Sequence, residues 1–171
     1  RLPLIGVHQA YNAALAIKAI KNYDETIKTS HLRLGIKTVH WPGRLELVDK
    51  FIFYDVAHNQ SGIFYAIKAI KTVFPEKPLI GLFCLKKNKE IKMIVKEFYN
   101  HIEKLYITRD KKRFLIDPYK LSGAINKMGF ESKPVNTVSE GISKIKIQIK
   151  KGYVGLIFGS HFIAEEVYEE F

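Results

Sequence analysis

At 171 residues, with 47% hydrophobic and 26% charged content, the chain is long enough to bury a full core and has no polar tract that would leave it disordered. No apolar run approaches the roughly 20 residues that span a bilayer, and no charged-then-apolar leader opens the sequence, so a soluble protein without a membrane partner is expected. A formal net charge of +11 asks for an anionic partner, while the one cysteine, Cys84, excludes a disulfide framework and points to a reducing, cytoplasmic interior.

The chain opens on a turn-rich lead, Arg1-Leu2-Pro3-Leu4-Ile5-Gly6, followed by a predicted helix from His8 to about Lys21 with Ala13, Ala14, Ile17 and Ile20 as its apolar stripe. A weaker helix is predicted from about Glu25 to Gly35, a glycine suited to a helix C-terminus. Trp41-Pro42-Gly43-Arg44 then breaks the pattern, because proline restricts the residue before it and glycine frees the one after, and a domain boundary is expected near here. Beyond the break, short apolar runs alternate with amphipathic stretches. Strands are predicted at Leu45–Val48 and Phe51–Tyr54 around an Asp49-Lys50 turn, then a helix over Ser61–Phe74 and a strand over Leu79–Cys84. A helix over Lys89–Tyr99, a strand over Leu105–Thr108, helices over Tyr119–Met128 and Ser139–Ile149, a strand over Tyr153–Phe158 and a terminal helix from Phe162 complete the series. Such alternation predicts an α/β fold: a mostly parallel, Rossmann-like sheet flanked by helices, with any ligand at the carboxyl ends of the strands.

Polar residues gather where that rule places a site. The strand Phe51–Tyr54 runs into Asp55-Val56-Ala57-His58-Asn59 and then a helix. An aspartate there can accept from ribose hydroxyls while the helix N-terminus faces an anion, or else Asn59 caps the helix and Asp55 holds the turn. The last strand repeats the arrangement with Gly159-Ser160-His161. Arg44, after Pro-Gly, can face a cleft and bridge to a nucleotide, or pair on the surface with Glu46. His8, Gln9 and Asn12 share a helix face from which an amide could read a base edge, the alternative for His8 and Gln9 being a cap. No HExxH, paired cysteines or carboxylate cluster has metal-ligand spacing, so no protein metal site is expected, and no GxxxxGK[ST] phosphate loop occurs. Only five of the 28 basic residues are arginine, and the lysines are spread through every segment, which argues against a nucleic-acid footprint. Lys111 and Lys112 read as solvated surface.

The ordered motifs Gly6-Val7-His8-Gln9-Ala10-Tyr11-Asn12, Trp41-Pro42-Gly43-Arg44-Leu45-Glu46, Asp55-Val56-Ala57-His58-Asn59, Phe83-Cys84 through Lys89-Glu90, and Gly159-Ser160 resemble folylpolyglutamate and dihydrofolate synthases of the Mur ligase superfamily. The resemblance implies an ATP-dependent ligase that activates a folate or dihydropteroate carboxylate as an acyl phosphate and lets the amine of L-glutamate displace phosphate. Residues 1–37 would be the last helices of an ATPase domain and its linker, and 38–171 the C-terminal Rossmann-like domain, acting as a monomer. By the same resemblance Asn12 contacts adenine, Arg44 a phosphate or ribose, and Asp55 the ribose. His58, Ser160 and Lys89 are the catalytic candidates, the first two near the ATP and glutamate pocket and Lys89 as the lysine of the family's Asp-Lys-Asp loop. Here Asn88 and Glu90 flank that lysine, and Cys84 stands where glycine is common. ATP and Mg²⁺ are the implied cofactors, with the phosphate loop and metal ligands in the preceding domain, so this chain alone is expected to be inactive. The alternatives are a stand-alone Rossmann-like module for a nucleotide or anion, and the C-terminal domain of a cell-wall Mur ligase.

Overall fold

The computed structural model describes residues 2–171; Arg1, at the head of the turn-rich lead, lies outside them. Helix α1 (Val7–Tyr23) and helix α2 (Thr29–Thr38) come first. They are separated by a turn in which the Asp24 carboxylate accepts from the Thr26 amide and hydroxyl at 2.9 and 2.6 Å. That local turn starts the second helix later than its periodicity suggests. Gly35 therefore lies inside α2 instead of ending it. The stripe of Ala13, Ala14, Ile17 and Ile20 is not core either, since α1 contains no buried residue.

After the Trp41–Arg44 break come β1 (Glu46–Asp49) and β2 (Ile52–Asp55), then α3 (Gln60–Val73), β3 (Leu79–Phe83), α4 (Ile91–Lys96) and β4 (Ile102–Ile107). Helix α5 (Pro118–Asn126), β5 (Ser132–Pro134), α6 (Val138–Ile149) and β6 (Val154–Phe158) follow. A 3₁₀ turn (His161–Ile163) and a short α7 (Ala164–Tyr168) stand where one terminal helix is predicted. Helix starts carry their own signals. Asn59 accepts from the Gly62 amide, Thr137 from Glu140, and Asp117 caps α5 with Pro118 in its first turn.

The six strands lie in the order β1-β2-β6-β3-β4-β5, and all are parallel except β1. The predicted α/β class and its mostly parallel, helix-flanked sheet are what the chain adopts. One face carries α3, α4 and α5 over Phe53, Phe83 and Phe158. Phe83, Phe98 and Phe158 meet there with ring centroids 4.8 to 5.4 Å apart. The other face carries α6 and α7 over Tyr54, Ile80 and Leu82. Strand β5 is the element the sequence reading misses. It has three residues and no alternation, and it is fixed by side chains: the Ser132 amide donates to Asn126 Oδ1 at 2.8 Å, and the Ser122 hydroxyl to the Ser132 carbonyl at 3.0 Å.

Inserting β6 between β2 and β3 brings two backbones very close at the carboxyl edge. The Cys84 amide donates to the Phe158 carbonyl at 3.1 Å, and Gly159 follows at φ +112°. A Cβ on Gly159 would lie 1.8 Å from the Cys84 carbonyl oxygen, so no side chain fits without moving a central strand. Gly159→Ala should therefore cost roughly 3 kcal/mol or more, or prevent folding. Gly123→Ala, in α5 with open space around it, should instead stabilise by about 0.5–1 kcal/mol. Urea unfolding of the two variants checks both signs.

Candidate functional site

The carboxyl ends of β2, β6, β3 and β4 form one edge of the sheet, and the polar motifs lie along it. At the β2 end a cavity of about 630 Å³ opens between that edge and the α1–α2 segment. Its lining includes Asn12, Arg44, Asp55 and His58, four of the six residues to which the family resemblance assigns a binding or catalytic role. Ser160 and Lys89, at the ends of β6 and β3, are not part of it.

Arg44 sits in a turn with left-handed backbone on both sides: Gly43 has φ +68° and Leu45 φ +44°. Left-handed geometry is costly for leucine, so something must hold it. The Leu45 amide donates to Asp55 Oδ2 at 2.9 Å, and its side chain is buried. The Gly43 amide donates to Glu46 Oε2 at 2.9 Å, and the Gly43 carbonyl accepts from the Val56 amide at 2.9 Å. A Cβ on Gly43 would meet Val56 Cγ1 at 2.7 Å, which explains the glycine. Arg44 itself is exposed, and no ion pair ties it to Glu46 or to any other described residue. The surface-pair alternative is thereby set aside: Glu46 serves the backbone beside the arginine, not the arginine.

Asp55 does hold the turn, with a second bond from the Ala57 amide to Oδ1 at 2.7 Å. Burial pushes its carboxyl up to about 6, while the bonds from Ala57 and Leu45 and the Arg44 guanidinium pull it back. Each oxygen accepts one amide and retains a lone pair, so a ribose-binding role and a turn-holding role are compatible. Asn59 caps α3 through the Gly62 amide at 2.8 Å, as its plainer alternative had it.

His58 is exposed, and its Nδ1 lies 3.1 Å from the Val56 carbonyl. A carbonyl can only accept, so Nδ1 carries the proton and Nε2 of the neutral ring is the acceptor. His8 stacks on Tyr65 with centroids 5.0 Å apart. Its pKa is held below the ordinary value, first by burial and then by the nearby Arg44 guanidinium. Neither His8 nor Gln9 caps α1, whose cap position is Gly6, with no side-chain hydrogen bond; Gln9 Oε1 instead accepts from Asn12 Nδ2 at 3.1 Å. Sequence reasoning missed Trp41 and Tyr65 as cavity residues. Trp41 belongs to the helix-breaking Trp-Pro-Gly-Arg motif, and nothing in the sequence around Tyr65 distinguishes it from other helix aromatics.

The remaining candidates lie outside this cavity. The Ser160 hydroxyl accepts from the Phe162 amide at 3.1 Å and its carbonyl from the Tyr54 hydroxyl at 3.0 Å, leaving the residue buried. Lys89 is half-buried in the loop after β3. Lys111 is exposed and paired with Glu169 at 3.2 Å. Burial pushes the Cys84 thiol up, so it is no reactive thiolate.

Asp55 makes stability depend on pH in a definite direction. Its folded pKa, about 6, exceeds the unfolded value of 3.8. Its contribution is therefore fully present below about pH 4 and is lost as pH rises through 6. Asp55→Asn removes this titration and turns an amide NH₂ toward one of two backbone N–H donors, so it should also destabilise at every pH. The stability gap between wild type and variant should shrink by on the order of 3 kcal/mol from pH 4 to pH 7, measured by urea unfolding.

Residues 43–161 match the Mur ligase, glutamate ligase domain family. Over 102 residues the chain is 34% identical to the dihydrofolate synthase/folylpolyglutamate synthase of Bacillus subtilis, covering 56% of this chain and 24% of that protein. A Mycobacterium tuberculosis folylpolyglutamate synthase complexed with ADP and AMPPCP superposes with a TM-score of 0.89 at 22% identity, over 98% of this chain and 41% of that one. The E. coli FolC in complex with DHPP and ADP gives 0.84 at 20% identity, over 98% and 39%. This chain spans well under half the length of each of these proteins, and the solved structures bear on its fold alone. With the family match running through Arg44, Asp55, His58, Lys89 and Ser160, the chain belongs to the Mur ligase, glutamate ligase domain family.

Proposed function

We propose that this chain forms the C-terminal part of an ATP-dependent ligase that adds L-glutamate to the carboxylate of a folate or dihydropteroate through an acyl phosphate. The observation that carries the reading is the convergence of Asn12, Arg44, Asp55 and His58 on one cavity, of small-molecule size, at the carboxyl edge of a parallel sheet. The family match and the ADP complexes of the structural relatives support a nucleotide as its occupant. In this reading residues 1–37 end an ATPase domain and 38–171 close over it. Among the described residues no three His, Cys, Asp or Glu side chains are grouped as metal ligands, and the Mg²⁺ ligands are assigned, with the phosphate loop, to the preceding domain. The free, buried Cys84 fits a cytoplasmic home.

Each residue then has a task its geometry allows. Asn12 offers an amide to an adenine edge, and Arg44 a fixed fork to a phosphate or ribose oxygen. Asp55 accepts from a ribose hydroxyl through the lone pairs its two amide bonds leave free. Mg²⁺, when bound, supplies charge neutralisation at the phosphoryl group, and Lys89 is assigned to add a cation from the loop after β3, two strands from β2. When the glutamate nitrogen attacks the acyl carbon, the C–N bond forms, the bond to phosphate oxygen breaks, and a proton leaves the nitrogen. His58 Nε2, the acceptor of the neutral ring, is the base assigned to take it, and Ser160, buried at the end of β6, is assigned to the wall of the glutamate pocket.

In the complete ligase, Arg44→Ala should remove a charge-assisted hydrogen bond worth roughly 1.5–3 kcal/mol, weakening apparent ATP affinity about ten- to a hundredfold with the fold intact. Lys112→Ala, at an exposed position, should change little. Unaltered ATP affinity in Arg44→Ala would remove the nucleotide from this cavity. Phosphate release with ATP, Mg²⁺, a folate and L-glutamate should be undetectable for the 171-residue chain alone, and steady turnover would refute its role as one part of a larger enzyme.

A further inference from the structure

We infer that Tyr168, in the last helix, is a positioning residue for Arg44 and acts through the Glu46 carboxylate; the inference rests on Arg44 contacting the nucleotide as proposed above. Glu46 Oε2 accepts two hydrogen bonds, from the Tyr168 hydroxyl at 2.6 Å and from the Gly43 amide at 2.9 Å. Gly43 is the residue before Arg44 and is one of the two left-handed positions that set the turn. Among the described residues none hydrogen-bonds Oε1, and His40 Nε2 lies 3.9 Å from it, outside hydrogen-bond range. The short bond from Tyr168 is thus what keeps the carboxylate turned toward Gly43 rather than toward His40 or solvent.

Tyr168 is itself well placed to hold this position. Its ring meets that of Tyr54 edge-on, with centroids 5.8 Å apart, and Tyr54 is fully buried with its hydroxyl on the Ser160 carbonyl. Burial and the Glu46 carboxylate both push the Tyr168 phenol up, so it remains a donor across the physiological range. The path runs from the core through Tyr54, Tyr168 and Glu46 to the amide beside Arg44. Neither Tyr168 nor Glu46 lines the cavity, so neither touches what binds there.

Burial first, and then the nearby Arg44 guanidinium, hold the His8 pKa below its ordinary value, so a His8 titration should report a change at Arg44 without any ligand. Trp41, the one tryptophan, lines the same cavity and reports occupancy. NMR titration of His8 and ADP titration followed by Trp41 fluorescence should be run on the chain carrying Tyr168→Phe, Glu46→Gln or Arg44→Ala. Arg44→Ala should raise the His8 pKa. Tyr168→Phe keeps the ring against Tyr54 and should raise it in the same direction by less, with ADP affinity down about three- to tenfold. Glu46→Gln keeps one acceptor oxygen and should fall between Tyr168→Phe and wild type. A Tyr168→Phe titration that overlays wild type while Arg44→Ala shifts would overturn the inference, and so would a His8 that ignores Arg44→Ala. If His8 responds to both variants and ADP affinity to neither, the positioning role stands and the nucleotide reading fails.

Discussion

Arg44 is flanked by two backbone amides, and each ends on a carboxylate: Gly43 N–H on Glu46 and Leu45 N–H on Asp55. Both flanking residues are buried and left-handed, so neither amide could be left unpaired without a cost of about 1–3 kcal/mol. The remaining polar geometry of the cavity follows from these two bonds. Asp55 also takes the Ala57 amide, which sets the path of the chain toward His58 and the cap of α3. The Asp55 clamp weakens as pH rises through about 6, because burial has moved that carboxyl up and its charged form is the costlier one in the fold.

The sheet order decides which candidates can share a site. Strands β2, β6 and β3 are adjacent, so Asp55, Ser160 and the Lys86–Lys89 loop follow one another along a single edge although far apart in sequence. The gap between β6 and β3 at that edge is closed by Gly159 lying on the Cys84 carbonyl. The open space is at the β2 end, where the break at Trp41–Arg44 leads the α1–α2 segment back over the sheet. A cavity bounded by that segment reaches His58 but not Ser160 or Lys89.

The fold was legible where period and length were strong. β3, β6, α3 and α6 lie within a residue or so of their expected ends, because continuous apolar runs bounded by caps leave little choice. Short elements set by side-chain bonds were not legible: β5 depends on Ser122, Asn126 and Ser132 finding each other, and the late start of α2 depends on the Asp24 turn. In the site, motif position alone brought Asn12, Arg44, Asp55 and His58 forward. It could not reveal that Asp55 spends one lone pair on each of two amides, or that Glu46 serves Gly43. Tyr168 carried no signal at all, since its contact with Glu46 joins opposite ends of the α/β unit.

The charge of the chain and the geometry of the turn answer different parts of one requirement. A net +11 spread over lysines on long, flexible stems creates a field that draws anions in without fixing how they bind. Ordering any one of those lysines on a ligand would cost side-chain entropy at the moment of binding. The backbone under Arg44 is ordered on folding by the two carboxylate clamps, so that part of the cost does not recur when a ligand arrives. Glu46 and Asp55 direct oxygens to backbone amides, and neither forms an ion pair with the arginine. An arginine kept unpaired but held in place, within a diffuse positive field, is what recognition of a charged phosphate or carboxylate at a defined position requires.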